Sequence, residues 1–277
     1  MNPKIKKILI KSKKEVFSEV VGNNSSKLKG EGYDFLELKE YEYGEDVKNI
    51  DWVISAKLQK PYVKVFHAQK ELNINLVALL NGSVHFGTDK FKQELICEIC
   101  SILAFSAIKQ GDAFSSYIAN ETLTFCTKKS KRTFSVNKMT ENIFEYKSVN
   151  KKLNYKNITN SIFSQIKRRS LIFLIGDFFN VESLDIKLLS KKHEIVVIIV
   201  RDRFEENLTT LGNINLKDLE NGFEYNGVVN TQALKDYKEQ IKKNDHILYE
   251  HLRKCNANFI KIYTDENPIS KLVRLMK

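Results

Sequence analysis

Two polar loops, each following a continuous apolar run, hold the side chains best suited to ligand chemistry. The first loop carries Asn81, Ser83 and His85, and the second begins with Asp177. Amide, hydroxyl, imidazole and carboxylate groups can bind a polar ligand or a partner when they share one edge of a sheet. The alternative is loop capping, since Asn and Ser after a strand commonly form turns or cap the next helix.

The other nucleophiles and bases do not form a recognisable catalytic set. Cys97 and Cys100 form a Cys-x-x-Cys pair inside a helical pattern, with no second Cys/His pair at zinc-ligand spacing, which predicts buried core residues. Four histidines have no Ser or Cys partner at a loop position: His67, His193, His246 and His251. The strand-end loops supply one carboxylate, so we expect a protein that is not an enzyme.

Apolar runs alternate with helical patterns along most of the chain, and this alternation predicts the fold class. Strand patterns fall at 72–80, 113–119, 121–127, 171–179, 195–200 and 258–264. Helical patterns fall at 89–109, 136–147, 158–169, 181–191 and 232–254 and in a closing segment, with an irregular stretch at 201–230. Strands without polar alternation are buried on both faces. We therefore expect a doubly wound, mostly parallel α/β sheet of Rossmann type, with ligands at the carboxyl ends of its strands.

The amino-terminal part differs in character from the rest. Residues 1–70 are predicted to form an α+β extension, ahead of an α/β domain over 71–277. Within the extension, 4–21 has the pattern of a basic amphipathic helix and 22–32 that of a flexible connector. Asp46 is expected to cap a single helix that follows it.

The 277 residues carry a formal net charge of +11, which is unevenly distributed. Residues 1–30 hold eight Lys and two Glu, whereas 31–51 hold eight acidic residues and two Lys, so the two blocks can neutralise each other. A second basic cluster is expected on a loop: Lys128, Lys129, Lys131 and Arg132. These basic segments suggest an alternative function in nucleic-acid or anionic-surface binding, but the sequence has no recognisable nucleic-acid motif to support it.

Hydropathy and cysteine content bear on the compartment. The longest apolar runs fall far short of the roughly 20 residues that a bilayer helix needs. Lysines interrupt the amino-terminal apolar residues before a signal-peptide core can form. Four cysteines are too few for a disulfide framework and suit a reducing compartment. We expect a cytoplasmic protein without a transmembrane segment.

The segment 30–66 carries motifs that closely resemble the signature of the domain of unknown function 58 family. The matching positions are Gly30, Gly32, Phe35, Lys39, Tyr41, Gly44, Glu45, Asp46, Lys48, Ile50, Asp51, Trp52, Ser55, Ala56 and Lys57. Further matches are Arg168-Arg169-Ser170, Arg201-Asp202 and Asp218-x-Glu220-x-Gly222. The resemblance covers about residues 28–277.

Members of this family are similar to von Willebrand factor A domains in their carboxyl half. The resemblance therefore implies a metal-ion-dependent adhesion site, in which Ser hydroxyls and carboxylates coordinate Mg²⁺. Its ligands here would be Asn81, Ser83 and Asp177. Asn81 stands where the family has Asp, and His85 replaces the second Ser, so the implied site is degenerate, with weak or absent Mg²⁺ binding.

The family is also commonly paired with MoxR-type AAA+ ATPases, which are thought to assemble or metallate other protein complexes. The resemblance implies a non-enzymatic interaction module whose partner is such an ATPase or a client protein. Asp46, Asp51 and Trp52 are candidates for a docking surface. The alternative is that Trp52 anchors the amino-terminal segment on the sheet while the acids pair with Arg or Lys.

Overall fold

The computed structural model describes residues 2–23, 35–66, 71–181, 183–208 and 212–275. Its strands in chain order are β1 (Phe35–Glu40), β2 (Tyr62–Phe66), β3 (Asn73–Leu79), β4 (Ala113–Ala119), β5 (Leu123–Ser130), β6 (Leu171–Gly176), β7 (Glu194–Arg201), β8 (Gly212–Lys217), β9 (Glu224–Val229) and β10 (Asn258–Tyr263). Its helices are α1 (Pro3–Asn23), α2 (Trp52–Leu58), α3 (Lys92–Lys109), α4 (Thr133–Phe144), α5 (Tyr155–Gln165), α6 (Lys187–Lys192), α7 (Arg203–Glu206), α8 (Thr231–Lys254) and α9 (Pro268–Leu275).

The chain divides into two units, which differ from the predicted extension and domain. Residues 1–18 belong with 72–277, and residues 19–71 form the smaller unit. The signature glycines Gly30 and Gly32 lie outside the described residues, as do His67 and most of the predicted connector. Within the smaller unit, β1 and β2 form an antiparallel pair next to α2.

A six-stranded sheet forms the centre of the larger unit. Its order is β10-β7-β6-β3-β4-β5, and all neighbours are parallel except β4 and β5. The strand order reverses at β3, because β4 lies on one side of it and β6 on the other. Ligands of such sheets bind outside the carboxyl ends of the strands at the reversal. The predicted α/β class with a largely parallel central sheet is confirmed, and the arrangement is consistent with a Rossmann-like fold.

Helices cover both faces of this sheet, which explains why its strands lack polar alternation. Every residue of β6 is buried. One face packs against α1, α3, α4 and α9, and the other against α5, α6 and α8. Along β3, Leu76 and Ala78 enter the first core while Val77 and Leu79 enter the second, as the two-residue period of a strand requires.

The prediction of an irregular stretch over 201–230 was wrong. It contains the short helix α7 and an antiparallel hairpin of β8 and β9. The two hairpin strands, GNINLK and EYNGVV, lack a continuous apolar run. Ile214 and Leu216 alternate with polar residues in the first strand, but this pattern is short, and the second strand lacks strict alternation, so the strand signal of the hairpin is weak.

The single helix predicted to follow Asp46 is interrupted in the structure. Asp46 caps only a short 3₁₀ turn, Val47–Asn49. Ile50 is extended and forms a β-bridge with Val63, which ends the turn. The carboxylate of Asp51 then caps α2 by accepting hydrogen bonds from two of its first backbone N–H groups.

The amphipathic helix predicted near the amino terminus is α1. Its apolar stripe packs into the core of the larger unit through Ile5, Leu9 and Val16. Ile10, on the same helix, faces solvent with 58% of its surface exposed. This stripe explains why the first 18 residues group with the α/β unit.

Lysines of α1 find their counter-charges on α3. Lys4 lies 2.7 Å from Glu94, and Lys11 lies 2.5 Å from Glu98. The acidic 31–51 block has ion pairs within the smaller unit, where its partners are Lys39, Lys60 and Lys64. Part of the amino-terminal positive charge is therefore neutralised by α3.

Along the described ranges, no helix combines the length and the apolar character that crossing a bilayer requires.

We expect Leu9→Ala to lower the free energy of unfolding by about 2–4 kcal/mol, because it leaves a cavity beneath α1. Ile10→Ala on the same helix is the matched control and should change it by less than about 0.5 kcal/mol. Urea titration followed by circular dichroism measures both. Equal effects of the two substitutions would contradict the packing of α1 on the sheet.

Candidate functional site

The structure brings together three of the residues predicted to share a strand-end site. Asn81 and Ser83 follow β3, and Asp177 follows β6, the strand paired with β3 in parallel. The amide Nδ2 of Asn81 donates a hydrogen bond to Ser83 Oγ at 2.6 Å. Ser83 Oγ in turn donates to a carboxylate oxygen of Asp177. The two loops therefore meet at the reversal in strand order.

The fourth predicted residue, His85, lies apart from this hydrogen-bonded chain. It ends the 3₁₀ turn Gly82–His85 and is exposed. Its ring stacks on Phe91, with 4.5 Å between the ring centroids. Within the described part of the chain, the contact of this ring is aromatic, and His85 does not bond to Ser83 or Asp177.

Sequence reasoning missed Lys92, the first residue of α3. Its side chain has no exposed surface, and Nζ lies 3.3 Å from Asp177 Oδ2 and 2.6 Å from Glu205 Oε1. The same ammonium lies 4.7 Å from the ring centroid of Phe179. The signal for Lys92 was its position one turn before Leu95, on the apolar stripe by which the helix packs against the core.

Glu205 reaches this ammonium because a capping box fixes α7. Asp202 caps the helix, and Glu205 accepts a hydrogen bond from the backbone N–H of Asp202 at 3.2 Å. Burial raises the pKa of the Glu205 carboxyl, and the nearby Lys92 ammonium acts in the opposite direction. The carboxylate is therefore held in the site by a local turn and by one buried cation.

Glu220, from the turn that joins β8 to β9, completes the site. It accepts a hydrogen bond from Asn81 Nδ2. Burial raises the pKa of the Glu220 carboxyl, the Asn81 amide lowers it, and the Asp177 charge raises it further. Glu220 stood in the Asp-x-Glu-x-Gly match of the sequence, but nothing there indicated that it reaches the loop after β3.

The turn between β8 and β9 reaches the site because its backbone lies very close to Gly82. A Cβ atom at Gly82 would lie 1.9 Å from the carbonyl oxygen of Leu219, so only glycine fits. The carbonyl of Leu219 also accepts a hydrogen bond from Asn150 N–H at 2.8 Å. Gly82 N–H donates to the carbonyl of Lys151 at 2.9 Å. Three separate loops are thus held together at position 82.

The backbone just after Asp177 is held in an unusual conformation. Phe178 has φ +52°, a left-handed value that is rare for a non-glycine residue. Its carbonyl accepts hydrogen bonds from Arg201 Nη2 at 3.2 Å and from Asn244 Nδ2 at 3.3 Å. The guanidinium of Arg201 also stacks 3.7 Å from the ring centroid of Phe179. These contacts hold the turn that presents Asp177, as local strain of this kind requires.

The donor set does not fit the Mg²⁺ ion that the resemblance implies. Mg²⁺ needs converging oxygen lone pairs. Asp177 Oδ2 already accepts from Ser83 and pairs with Lys92. Asn81 presents its NH₂ group, because its neighbours Ser83 and Glu220 are both acceptors. Within the described ranges, no group of three or more His, Cys, Asp or Glu side chains could hold a metal ion.

The predicted docking residues Asp46, Asp51 and Trp52 lie in the smaller unit. Both carboxylates act as caps, and Asp51 also pairs with Lys64 at 2.9 Å. This pairing and the cap hydrogen bonds lower the pKa of the Asp51 carboxyl. Trp52 has 67% of its surface exposed, as does Val53. The expectation that Trp52 anchors the segment by burial was therefore wrong, because the tryptophan lies on the outer face of α2.

The remaining features have structural roles. Cys97 and Cys100 are buried in α3, as the helical pattern predicted, and burial raises the pKa of both thiols. Lys128 and Lys129 lie on β5, the edge strand, and were wrongly placed on a loop. Exposed lysines on an edge strand discourage pairing with other chains, which accounts for them without an anionic ligand.

The chain matches one protein family, and it is distantly similar to other uncharacterized proteins and to solved structures. The model of the family described as "Protein of unknown function DUF58" matches residues 37–247. Uncharacterized proteins of Mycobacterium tuberculosis and Mycobacterium bovis are each 22% identical over 260 residues, covering 92% of this chain and 82% of the relative.

Two solved structures from Bacteroides are similar over 74% of this chain. One is the conserved hypothetical protein BatB from Bacteroides thetaiotaomicron, with 97% of that chain covered, 12% identity and a TM-score of 0.47. The other is an aerotolerance-related membrane protein from Bacteroides fragilis, with 96% covered, 11% identity and a TM-score of 0.46. At these TM-scores the similarity carries no inference about function.

We expect Glu220→Gln to stabilise the protein at pH 7.5 by on the order of 0.5 kcal/mol, with solvent screening included. The pKa of Glu220 is raised in the folded state, so the folded protein binds this proton more readily than the unfolded chain does. The contribution of the protonated carboxyl is therefore present at low pH and is lost as pH rises through the raised pKa. The advantage of the variant should vanish near pH 4.

Glu224→Gln, on β9, is the matched control. The exposed carboxyl of Glu224 has its pKa lowered by Lys217, so its removal should have the opposite sign at pH 7.5. Chemical denaturation of the three proteins across this pH range gives the comparison. A Glu220→Gln protein less stable than the parent at pH 7.5 would show that the carboxylate is not strained in the site.

Proposed function

The chain belongs to the DUF58 family, and from this premise we propose that it is a non-enzymatic interaction module. Its partner is a MoxR-type AAA+ ATPase, or a client of that ATPase, in complex assembly or maturation. The observation that carries the proposal is the convergence of Asn81, Ser83, Asp177 and Glu220 at one edge of the sheet. We assign the docking role to this edge because the family is similar to von Willebrand factor A domains.

The position of the site in the sheet supports docking there. Asn81 and Asp177 follow the two strands between which the strand order reverses, where such folds bind their ligands. Ser83 and Glu220 are only partly buried, so the site has an accessible polar rim above a buried floor. A rim of hydrogen-bonding groups around a fixed core is typical of an interaction surface.

The engagement of the side chains supports a binding role over catalysis. The hydroxyl of Ser83 donates to a carboxylate, and the ring of His85 stacks on Phe91. A serine nucleophile is typically activated by an imidazole or amine base, and in the described part of the chain the His85 imidazole stacks on Phe91 and does not contact Ser83. We therefore assign the loops to recognition.

The smaller unit supplies a second docking element in this proposal. Asp46 and Asp51 cap consecutive turns and so fix the helix that displays Trp52. Exposed tryptophan is enriched at the centres of protein interfaces, because it buries a large area with little loss of conformational entropy. We propose that Trp52 contacts the partner directly while the two carboxylates position its helix.

The proposal includes a cytoplasmic location. Cys97, Cys100, Cys126 and Cys255 are all free thiols, which suits a reducing compartment.

The direct test is binding between the purified chain and a MoxR-type ATPase encoded in the same genome, by calorimetry with ATP present. We expect Ser83→Arg and Asp177→Ala each to weaken binding at least about tenfold, which is about 1.4 kcal/mol. Arg at position 83 fills the polar rim, and loss of Asp177 removes its floor. Circular dichroism verifies that each variant is folded.

Glu194→Gln is the control, since Glu194 is an exposed carboxylate at the opposite end of the sheet, where β7 begins. It should leave the affinity unchanged. If the parent protein does not bind the ATPase at low salt, the ATPase is not its partner. If all three substitutions weaken binding equally, the strand-end site is not the docking site.

We expect Trp52→Ala to weaken the same interaction at least about fivefold without lowering thermal stability, because the exposed ring has little packing to lose. Phe134→Ala is the control for loss of an exposed aromatic ring, since Phe134 is 74% exposed on α4. Binding that responds equally to both substitutions would argue against a role for α2.

A further inference from the structure

A fully buried lysine stands in the strand-end site, in contact with carboxylates that follow two different strands. Lys92 has no exposed side-chain surface, and its ammonium lies between Asp177, after β6, and Glu205, after β7. Burying an isolated ammonium costs several kcal/mol, so a lysine is found there only when carboxylates compensate its charge. Lys92 and these acids therefore form a single electrostatic unit.

The ammonium performs the electrostatic task of a divalent ion. Asp177 and Glu205 would repel each other across a site of low dielectric if no cation lay between them. Lys92 supplies that cation from within the chain, at 3.3 Å and 2.6 Å from their oxygens. It reaches the site from the first turn of α3, whose backbone is fixed by the N–H of Lys92 donating to the carbonyl of Phe86 at 2.8 Å.

The same ammonium also disfavours a metal ion. A divalent ion at Asp177 would stand within a few ångströms of a like charge that solvent cannot screen. The ion would also have to displace the proton that Ser83 directs at Asp177. The Phe179 ring, 4.7 Å from the ammonium, further favours a cation held in this place.

We propose that Lys92 is the built-in cation of the strand-end site and takes the place of a divalent metal, so that the site is formed without one. This inference concerns the purified chain alone and stands whether or not an ATPase is its partner.

The test compares thermal unfolding in EDTA with unfolding at millimolar Mn²⁺, with Mn²⁺ electron paramagnetic resonance to count bound ions. The parent protein should show the same Tm in both, to within about 1 °C, and no bound ion. Lys92→Ala should lower the Tm in EDTA by roughly 10 °C, because it leaves two carboxylates without a cation. Mn²⁺ should then bind this variant and restore at least about 3 °C.

Two further variants locate the effect. Lys90→Ala removes a nearby lysine that pairs with Glu98 at 2.8 Å, and it should show no response to Mn²⁺. Lys92→Ala combined with Asp177→Asn should lose the response, because a metal ligand is gone. If Lys92→Ala does not fold, Lys92→Met keeps most of the apolar stem and should show the same loss of Tm in EDTA.

Several results overturn the proposal. The first is Mn²⁺ binding to the parent protein that Asp177→Asn abolishes, which can be measured whether or not any Lys92 variant folds. The second is a Lys92→Ala protein as stable as the parent in EDTA. The third is a destabilised Lys92→Ala protein that Mn²⁺ does not rescue. Absence of ATPase binding leaves all these measurements unaffected, so the two proposals fail separately.

Discussion

The buried ion pair between Lys92 and Asp177 is the interaction on which the strand-end site depends. Both side chains have no exposed surface, so neither charge is hydrated, and each must be compensated within the protein. Asp177 directly follows β6, while Lys92 begins the helix that covers one face of the sheet. The pair therefore joins the central strand end to α3, and Glu205 extends it to the loop after β7. The positions of these three charged groups are therefore fixed relative to one another, because moving any of them would leave a buried charge without its counter-charge.

Further charged side chains at the carboxyl edge of the sheet are also compensated by neighbours of opposite charge. Phe179 lies beside both Lys92 and Arg201, and Arg201 pairs with Asp245 of α8 at 3.0 Å. Lys261 of β10 then pairs with Asp245 at 2.6 Å. Each cation of this series pairs with a carboxylate, and the Phe179 ring lies between the two cations Lys92 and Arg201. Because each charge has a neighbour of opposite sign, this edge can be buried and still hold the strained turn at Phe178.

Backbone packing decides which loops share the site. The loop after β3 approaches the turn between β8 and β9 so closely that Gly82 has no room for a side chain. That approach brings Glu220 to Asn81 and orients the amide, whose NH₂ group faces two acceptors. The NH₂ group of this amide, which cannot coordinate a metal ion, is the group that faces Ser83 and Glu220. The orientation of the Asn81 amide and the presence of Lys92 therefore both disfavour a metal ion at this site.

The sequence by itself determined the α/β class, the strands of the central sheet and the meeting of Asn81, Ser83 and Asp177. Long apolar runs report burial on both faces, and parallel strands end at a common edge, so these features follow from local patterns. The roles of Lys92 and Glu220 were decided only by the tertiary structure. The position of Lys92 on an apolar stripe is consistent with burial but does not show which carboxylate its ammonium contacts. The hairpin that carries Glu220 has only a short alternating pattern in one strand, and its position depends on contacts with residues far away in the chain, such as Gly82 and Asn81.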